Sequence, residues 1–219
     1  MKPMGKQVIS KQRVADHGEV LTGEREVNAM LDLVRRETER IDSRFLEPAC
    51  GTGNFLTKIL QRKLLVVEAR YGKSQLDYER YAVLAVSSIY GIEILEDNVK
   101  QCRSRLYEIF EGNYDRLFKD KGRNKCREAV RFILERNIIW GDALSFKTVG
   151  EKPKPIVFSE WSPVNGSLLK RRDYMMSFLL KKDYERPLFS DEGDLADITK
   201  PVKEYPLTHF LEVADVGNH

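Results

Sequence analysis

At 219 residues the chain is long enough for one domain with its own core, and a second full domain would be a squeeze. With 42% hydrophobic and 32% charged residues it has the make-up of a globular protein, and it contains no run of about 20 apolar residues of the kind a bilayer span needs. A net charge of +3 is too small to argue for nucleic-acid binding by itself, and Cys50, Cys102, Cys126, His17, His209 and His219 are too scattered for a disulfide framework or a metal site.

The opening Met-Lys-Pro-Met-Gly-Lys is charged with no apolar segment behind it, so a cytoplasmic protein without a secretory signal is expected. Four basic residues, Lys2, Lys6, Lys11 and Arg13, stand in this region without an acid. Residues 24–40 read as a helix, with Val27, Met30, Leu31 and Val34 on one side and Glu24 and Glu26 where the helix dipole favours acids. Arg44 to Pro48 is a short extended run leading into Ala49-Cys50-Gly51-Thr52-Gly53-Asn54.

Phe55, Leu56, Ile59, Leu60, Lys63, Leu64 and Val67 then trace a second helix, and Tyr78 to Ser88 a third. Ile89 to Leu95 reads as a strand. Asp97 is a candidate cap for a helix burying Val99, Cys102, Leu106, Ile109 and Phe110. A helix around Cys126 to Leu134, a strand at Asn137 to Trp140 and an apolar strand at Pro155 to Trp161 follow.

Strands alternating with helices predict an α/β fold with a mostly parallel sheet and helices on both faces. Ligands of such sheets collect at the carboxyl ends of the strands, where Glu47, Glu93, Asp142 and Ser162 are all expected. Three divisions are predicted: an N-terminal arm and the segment after it (1–23), the main domain (24–180), and an irregular tail (181–219) with an edge strand within Thr208 to Val213.

The strongest local signal is Phe45-Leu46-Glu47-Pro48-Ala49-Cys50-Gly51-Thr52-Gly53-Asn54-Phe55. A strand, a glycine loop and a helix in succession bring backbone close to a ligand, because glycine has no side chain to hold the ligand away. The loop has two glycines, no lysine, and a carboxylate just before the turn. That carboxylate would repel a phosphate and attract a cation. A cofactor carrying an ammonium and a sulfonium therefore fits better than NAD or ATP. Cys50 reads as a small packed residue of the loop, not as a nucleophile.

Glu47 to Phe55 resembles, at every position, the cofactor loop of the S-adenosylmethionine-dependent DNA adenine methyltransferases of restriction–modification systems. Three further segments resemble the same family in the same order. Asp16 to Glu24, with Thr22-Gly23 where Thr-Pro is usual, is similar to the segment that helps bind the methionine part. Gly91-Ile92-Glu93-Ile94 is similar to the second-strand motif, whose acid accepts from the ribose hydroxyls. Gly141-Asp142-Ala143-Leu144 is similar to the third-strand motif, whose acid accepts from the adenine amino group of the cofactor. The resemblance implies a Rossmann-like methyltransferase fold with an incomplete C-terminal part. It implies S-adenosylmethionine as cofactor, held by Thr22, Glu47, Pro48, Ala49, Gly51, Gly53, Glu93, Asp142 and Ala143. From Gly53 to Glu93 is longer than in a plain dinucleotide fold, so Ala69 to Tyr81 is expected to be an added or extended helix.

Methylating the adenine amino group requires the base to be flipped out of the duplex and held by hydrogen-bond acceptors in line with the methyl group. The family does this with a polar residue, two prolines and an aromatic residue after the fourth strand. Ser162-Pro163 matches the first two positions, and Val164 and Asn165 replace the others. If the enzyme is active, Ser162 and Pro163 are the expected catalytic pair; the same residues also suit a plain turn after a strand. Lys170-Arg171-Arg172, just beyond, is the candidate contact with DNA phosphates, and Lys181-Lys182 is a second cluster, although such runs are also what solvated surfaces carry. The expected partners are duplex DNA with a flipped adenine and a second methyltransferase or specificity subunit, with no membrane and no metal. The competing reading is a non-catalytic S-adenosylmethionine-binding protein that regulates or docks onto a restriction or defence system.

Overall fold

The computed structural model describes residues 22–177 and 200–216. Asp16 to Leu21, the basic residues before them, and Lys181-Lys182 lie outside this range.

The first helix, α1 (Glu24–Leu33), buries Val27 and Leu31 but leaves Met30 and Val34 exposed, so its apolar stripe is narrower than the spacing suggested. A single further turn, α2 (Arg35–Thr38), precedes β1 (Phe45–Glu47). Two helices follow, α3 (Asn54–Tyr71) and α4 (Gln75–Ser87), before β2 (Ile89–Glu93). Two more, α5 (Glu96–Phe118) and α6 (Asn124–Asn137), lead to β3 (Ile138–Asp142). The doubling has a simple cause. At 1.5 Å per residue α3 is about 27 Å long and α5 about 34 Å, whereas a five-residue strand covers about 17 Å. Each helix overruns the sheet, and a second helix must bring the chain back to the start of the next strand. The expected insertion between Ala69 and Tyr81 is thus the end of α3, the turn at Gly72–Ser74, and the first half of α4. Tyr78 of α4 and Phe110, Tyr114 and Phe118 of α5 form an aromatic cluster between these helices.

β1, β2 and β3 are parallel neighbours, with Glu47 beside Gly91 and Glu93 beside Trp140. β4 (Lys147–Thr148) turns back antiparallel on β3. The strand read up to Leu95 stops at Glu93, and the cap position of α5 falls on Leu95, with Asp97 inside the first turn. A second, antiparallel sheet follows: β5 (Val157–Pro163), β6 (Leu168–Met175), β7 (Lys203–Glu204) and β8 (Thr208–His209). The run expected as one strand over Thr208 to Val213 divides into β8 and a final turn, α7 (Val213–Val216).

The two faces of β2 meet different partners. Ile89 belongs to the main core shared with the helices, and Gly91 lies under Leu56 of α3. Tyr90 and Ile92 pack with Ile156, Phe158 and Met176. Among the described residues the second sheet, not a helical layer, therefore covers that face, and this corrects the expectation of helices on both. The cause lies in the 14 residues between Asp142 and Val157, which hold only β4 and loops. A parallel return needs a crossover, usually a helix, of a dozen or more residues. Without one, β5 comes back against the direction of β3: Ile156 lies beside Gly141 near the carboxyl end, and Trp161 reaches Asn137 at the amino end.

Candidate cofactor cleft

The loop after β1 is shaped by two left-handed glycines, Gly51 (φ 52°) and Gly53 (φ 84°). Gly53 is also forced by space, since a Cβ there would lie 2.6 Å from Cys102 Sγ. The loop is tied internally by Gly53 N–H donating to the Cys50 carbonyl, and to β2 by Cys50 N–H donating to the Ile92 carbonyl. Cys50 is buried beneath it. A hydrogen bond with Cys102 and burial both push its thiol well above its ordinary value, which suits packing and not attack.

Three parallel strands ending side by side place Glu47, Glu93 and Asp142 around one cleft of about 550 Å³. Thr22, Pro48, Ala49, Gly51 and Ala143 also line it. Every residue expected to hold the cofactor except Gly53 is thus brought together, and Gly53 shapes the turn from behind. Among the described residues the lining carries these three carboxylates and no lysine or arginine.

The carboxylates differ in setting. Glu93 is 7% exposed and takes one backbone N–H on each oxygen, Gly51 at 2.8 Å and Leu95 at 2.9 Å. A carboxylate oxygen has two lone-pair sites, so each keeps one for a ligand. Burial pushes the Glu47 carboxyl up, partly offset by a hydrogen bond from the Ala49 backbone. Asp142 is held below the ordinary range by the Ser145 hydroxyl and then by Leu144 N–H, which donates to it at 2.9 Å. Ile94 and Leu144, the latter 92% exposed, add apolar surface to the rim. Together these features form an acidic slot with an apolar lip.

Sequence reading missed Asn98 and Arg105. Asn98 is 1% exposed and lines the cleft from the first turn of α5. Arg105 stands two turns further along, with its Nη1 2.6 Å from the Thr52 carbonyl oxygen. Their seven-residue spacing beside the apolar stripe of Val99, Cys102 and Leu106 was the available signal.

Ser162 and Pro163 are not in this cleft. They end β5 opposite Lys170 and Leu169, and Val164 N–H donates to the Leu168 carbonyl to close a hairpin turn around Gly166. Pro163 lines a different cavity, of about 540 Å³, with Ser43, Phe45 and Ser88 at the amino ends of β1 and β2. The reversed direction of β5 is the reason, and it corrects the expectation that Ser162 shares an end of the sheet with Asp142. The basic cluster lies on β6 with its charges engaged internally. Lys170 pairs with Glu204 at 3.1 Å, and Arg171 with Asp173 at 2.8 Å while lying over the Tyr205 ring. Arg172 stands near Glu160 and Glu204.

Among the described residues no helix is long and apolar enough to cross a membrane. A family model described as MmeI, DNA-methyltransferase domain, matches residues 20–152, a span that takes in the whole acidic cleft and stops before β5. No curated protein and no solved structure matches the chain.

Proposed function

Because the chain belongs to the family of the MmeI DNA-methyltransferase domain, we propose that its acidic cleft binds S-adenosylmethionine for methyl transfer to the exocyclic amino group of adenine in DNA, as a restriction–modification methyltransferase or a subunit of one. The observation that carries this reading is the lining of the cleft: carboxylates at the ends of three adjacent parallel strands, with no cationic side chain among the described residues that line it. A phosphate-bearing nucleotide would meet uncompensated repulsion there. A sulfonium with an ammonium, a ribose diol and an adenine finds acceptors for each part.

The residues fit the cofactor by their chemistry. Glu47, Thr22 and the loop backbone from Pro48 to Gly51 would take the methionine part. Glu93, with a lone pair free on each oxygen, would take the ribose hydroxyls. Asp142 and Ala143 would take the adenine, with Ile94 and Leu144 against its ring. S-adenosylmethionine supplies an electrophilic methyl group on its sulfonium when bound. The chain's own part is to bind and orient that group, with Asp142 kept ionised by Ser145 and Leu144. A Rossmann-like fold is the architecture this reading assigns to β1, β2 and β3.

Calorimetric titration with S-adenosylmethionine tests the reading. Saturable binding is expected, weakened at least tenfold in Asp142→Ala and in Glu47→Ala, each of which loses a charged hydrogen-bond acceptor. A folded protein that takes up no cofactor overturns it.

One observation favours the second reading, a cofactor-binding protein without turnover. Ser162 and Pro163, the residues that resemble the amino-group clamp, stand at the far end of the sheet. On the enzymatic reading another chain, such as a second methyltransferase or specificity subunit, supplies the clamp. Transfer of labelled methyl from cofactor to adenine in duplex DNA, with and without co-purified partners, separates the two.

A further inference from the structure

We propose that Arg105 is the positioning residue of the cleft, holding the glycine loop and the Thr22 segment in one arrangement through Thr52 and Asn54. Arg105 does not line the cleft. It rises from α5 behind the loop, and its Nη1 lies 2.6 Å from the Thr52 carbonyl oxygen, 3.0 Å from Thr52 Oγ1 and 2.8 Å from Asn54 Oδ1. Asn54 passes the restraint on: its Nδ2 donates at 2.9 Å to the carbonyl of Thr22, which also lines the cleft.

The loop depends on this clamp because of where Thr52 sits. It lies between the two left-handed glycines and is only 4% exposed. The N–H groups around it have partners, Gly51 on Glu93 and Gly53 on Cys50. The Thr52 carbonyl meets the guanidinium instead, and a buried carbonyl deprived of its donor is driven to find another by changing backbone angles. Glycines on both sides make such a change easy, since they adopt many conformations at little cost. Arg105 therefore selects one loop shape from several, and Asn54 places Thr22 against that shape. A cation behind the loop would oppose a cationic ligand if it faced the cleft; placed behind, with its Nη1 engaged by Thr52 and Asn54, it acts on geometry.

This inference rests on the cofactor reading above for the identity of the ligand, but not for the state of the loop. The test uses Arg105→Met, which keeps the apolar stem and removes the donors, Arg105→Lys, which restores a charged donor, and Asn54→Ala. Two readouts are taken on the full chain: amide hydrogen exchange of residues 50–55 without ligand, and S-adenosylmethionine titration. In Arg105→Met the loop amides are expected to exchange at least tenfold faster while those of β2 and β3 are unchanged. Affinity falls on the order of tenfold to a hundredfold, with Arg105→Lys recovering most of both. Asn54→Ala is expected to lose affinity while the Thr52 region stays protected, since it cuts the link from Arg105 through Asn54 to Thr22 and leaves the bonds of Arg105 to Thr52. Unchanged loop exchange in Arg105→Met overturns the proposal, whatever the cofactor result. An equal rise throughout the chain also overturns it, because Arg105 would then support the whole fold. A wild-type chain that binds no cofactor but shows the expected exchange pattern overturns the cofactor reading and leaves the positioning role standing.

Discussion

Lys63 is fully buried in α3, and its ammonium donates to the carbonyls of Arg40, Ile41 and Ser43 and to the Ser88 hydroxyl. One side chain thus fixes the turn that enters β1 against the residue that enters β2, and so sets the height at which both strands end in the cleft. Lys63→Met is expected to destabilise the fold by about 3 kcal/mol or more, because it strands several buried acceptors at once. Burial lowers the Lys63 ammonium to about 7 from 10.5. Between those values the unfolded chain holds a proton that the folded chain has released, so stability should rise with pH across that window. The slope is up to about 1.4 kcal/mol per unit, and below pH 7 the contribution is flat. Urea unfolding at pH 7 and pH 9 checks this: the wild type should gain stability that Lys63→Met does not. Equal gains in both would assign the effect to other groups.

Among the elements, the junction of α4, α6, β2 and β5 is held by Asn137, the last residue of α6. Its Nδ2 donates to the carbonyls of Ser87 and Ile89, and its Oδ1 accepts from Trp161 Nε1 at 3.0 Å. All three bonds are buried, so Asn137→Leu is expected to cost about 2–4 kcal/mol and to loosen the second sheet from the first. Thermal unfolding gives the size. Trp161 fluorescence shifting to longer wavelength before global unfolding would confirm where the loosening occurs, and a single transition with no such shift would refute it. The elements themselves were mostly legible. α3, α5 and α6 follow the apolar spacing closely, and β2, buried on both faces, reads as a short apolar run interrupted by Gly91. The spacing also placed two helices in each long crossover; what it did not reveal was why the second helix is needed. That depends on the mismatch between helix and strand length, which no local window contains.

For the whole molecule, the two ends of the parallel sheet carry different business. The carboxyl end holds the acidic cleft; the amino end holds the hairpin turn after Ser162 and Pro163 and a separate cavity. Ser162→Ala should therefore leave S-adenosylmethionine affinity within about twofold of wild type, since the substitution lies at the other end of the sheet. A tenfold loss in the same titration would show that the two ends communicate. The glycine loop, the three strand-end acids and the family were readable from residues alone, because a ligand-binding turn is a local object: two left-handed glycines, a carboxylate before them and a helix after. The direction of β5 was not readable. Pro155 to Trp161 is apolar enough for a strand in either sense, and only the absence of a helix between Asp142 and Val157, together with pairing to β6, sets which way it runs. The roles of Arg105 and Asn137 were hidden for a related reason: their partners lie 53 and 24 residues away in the chain, and only packing brings them into bonding distance.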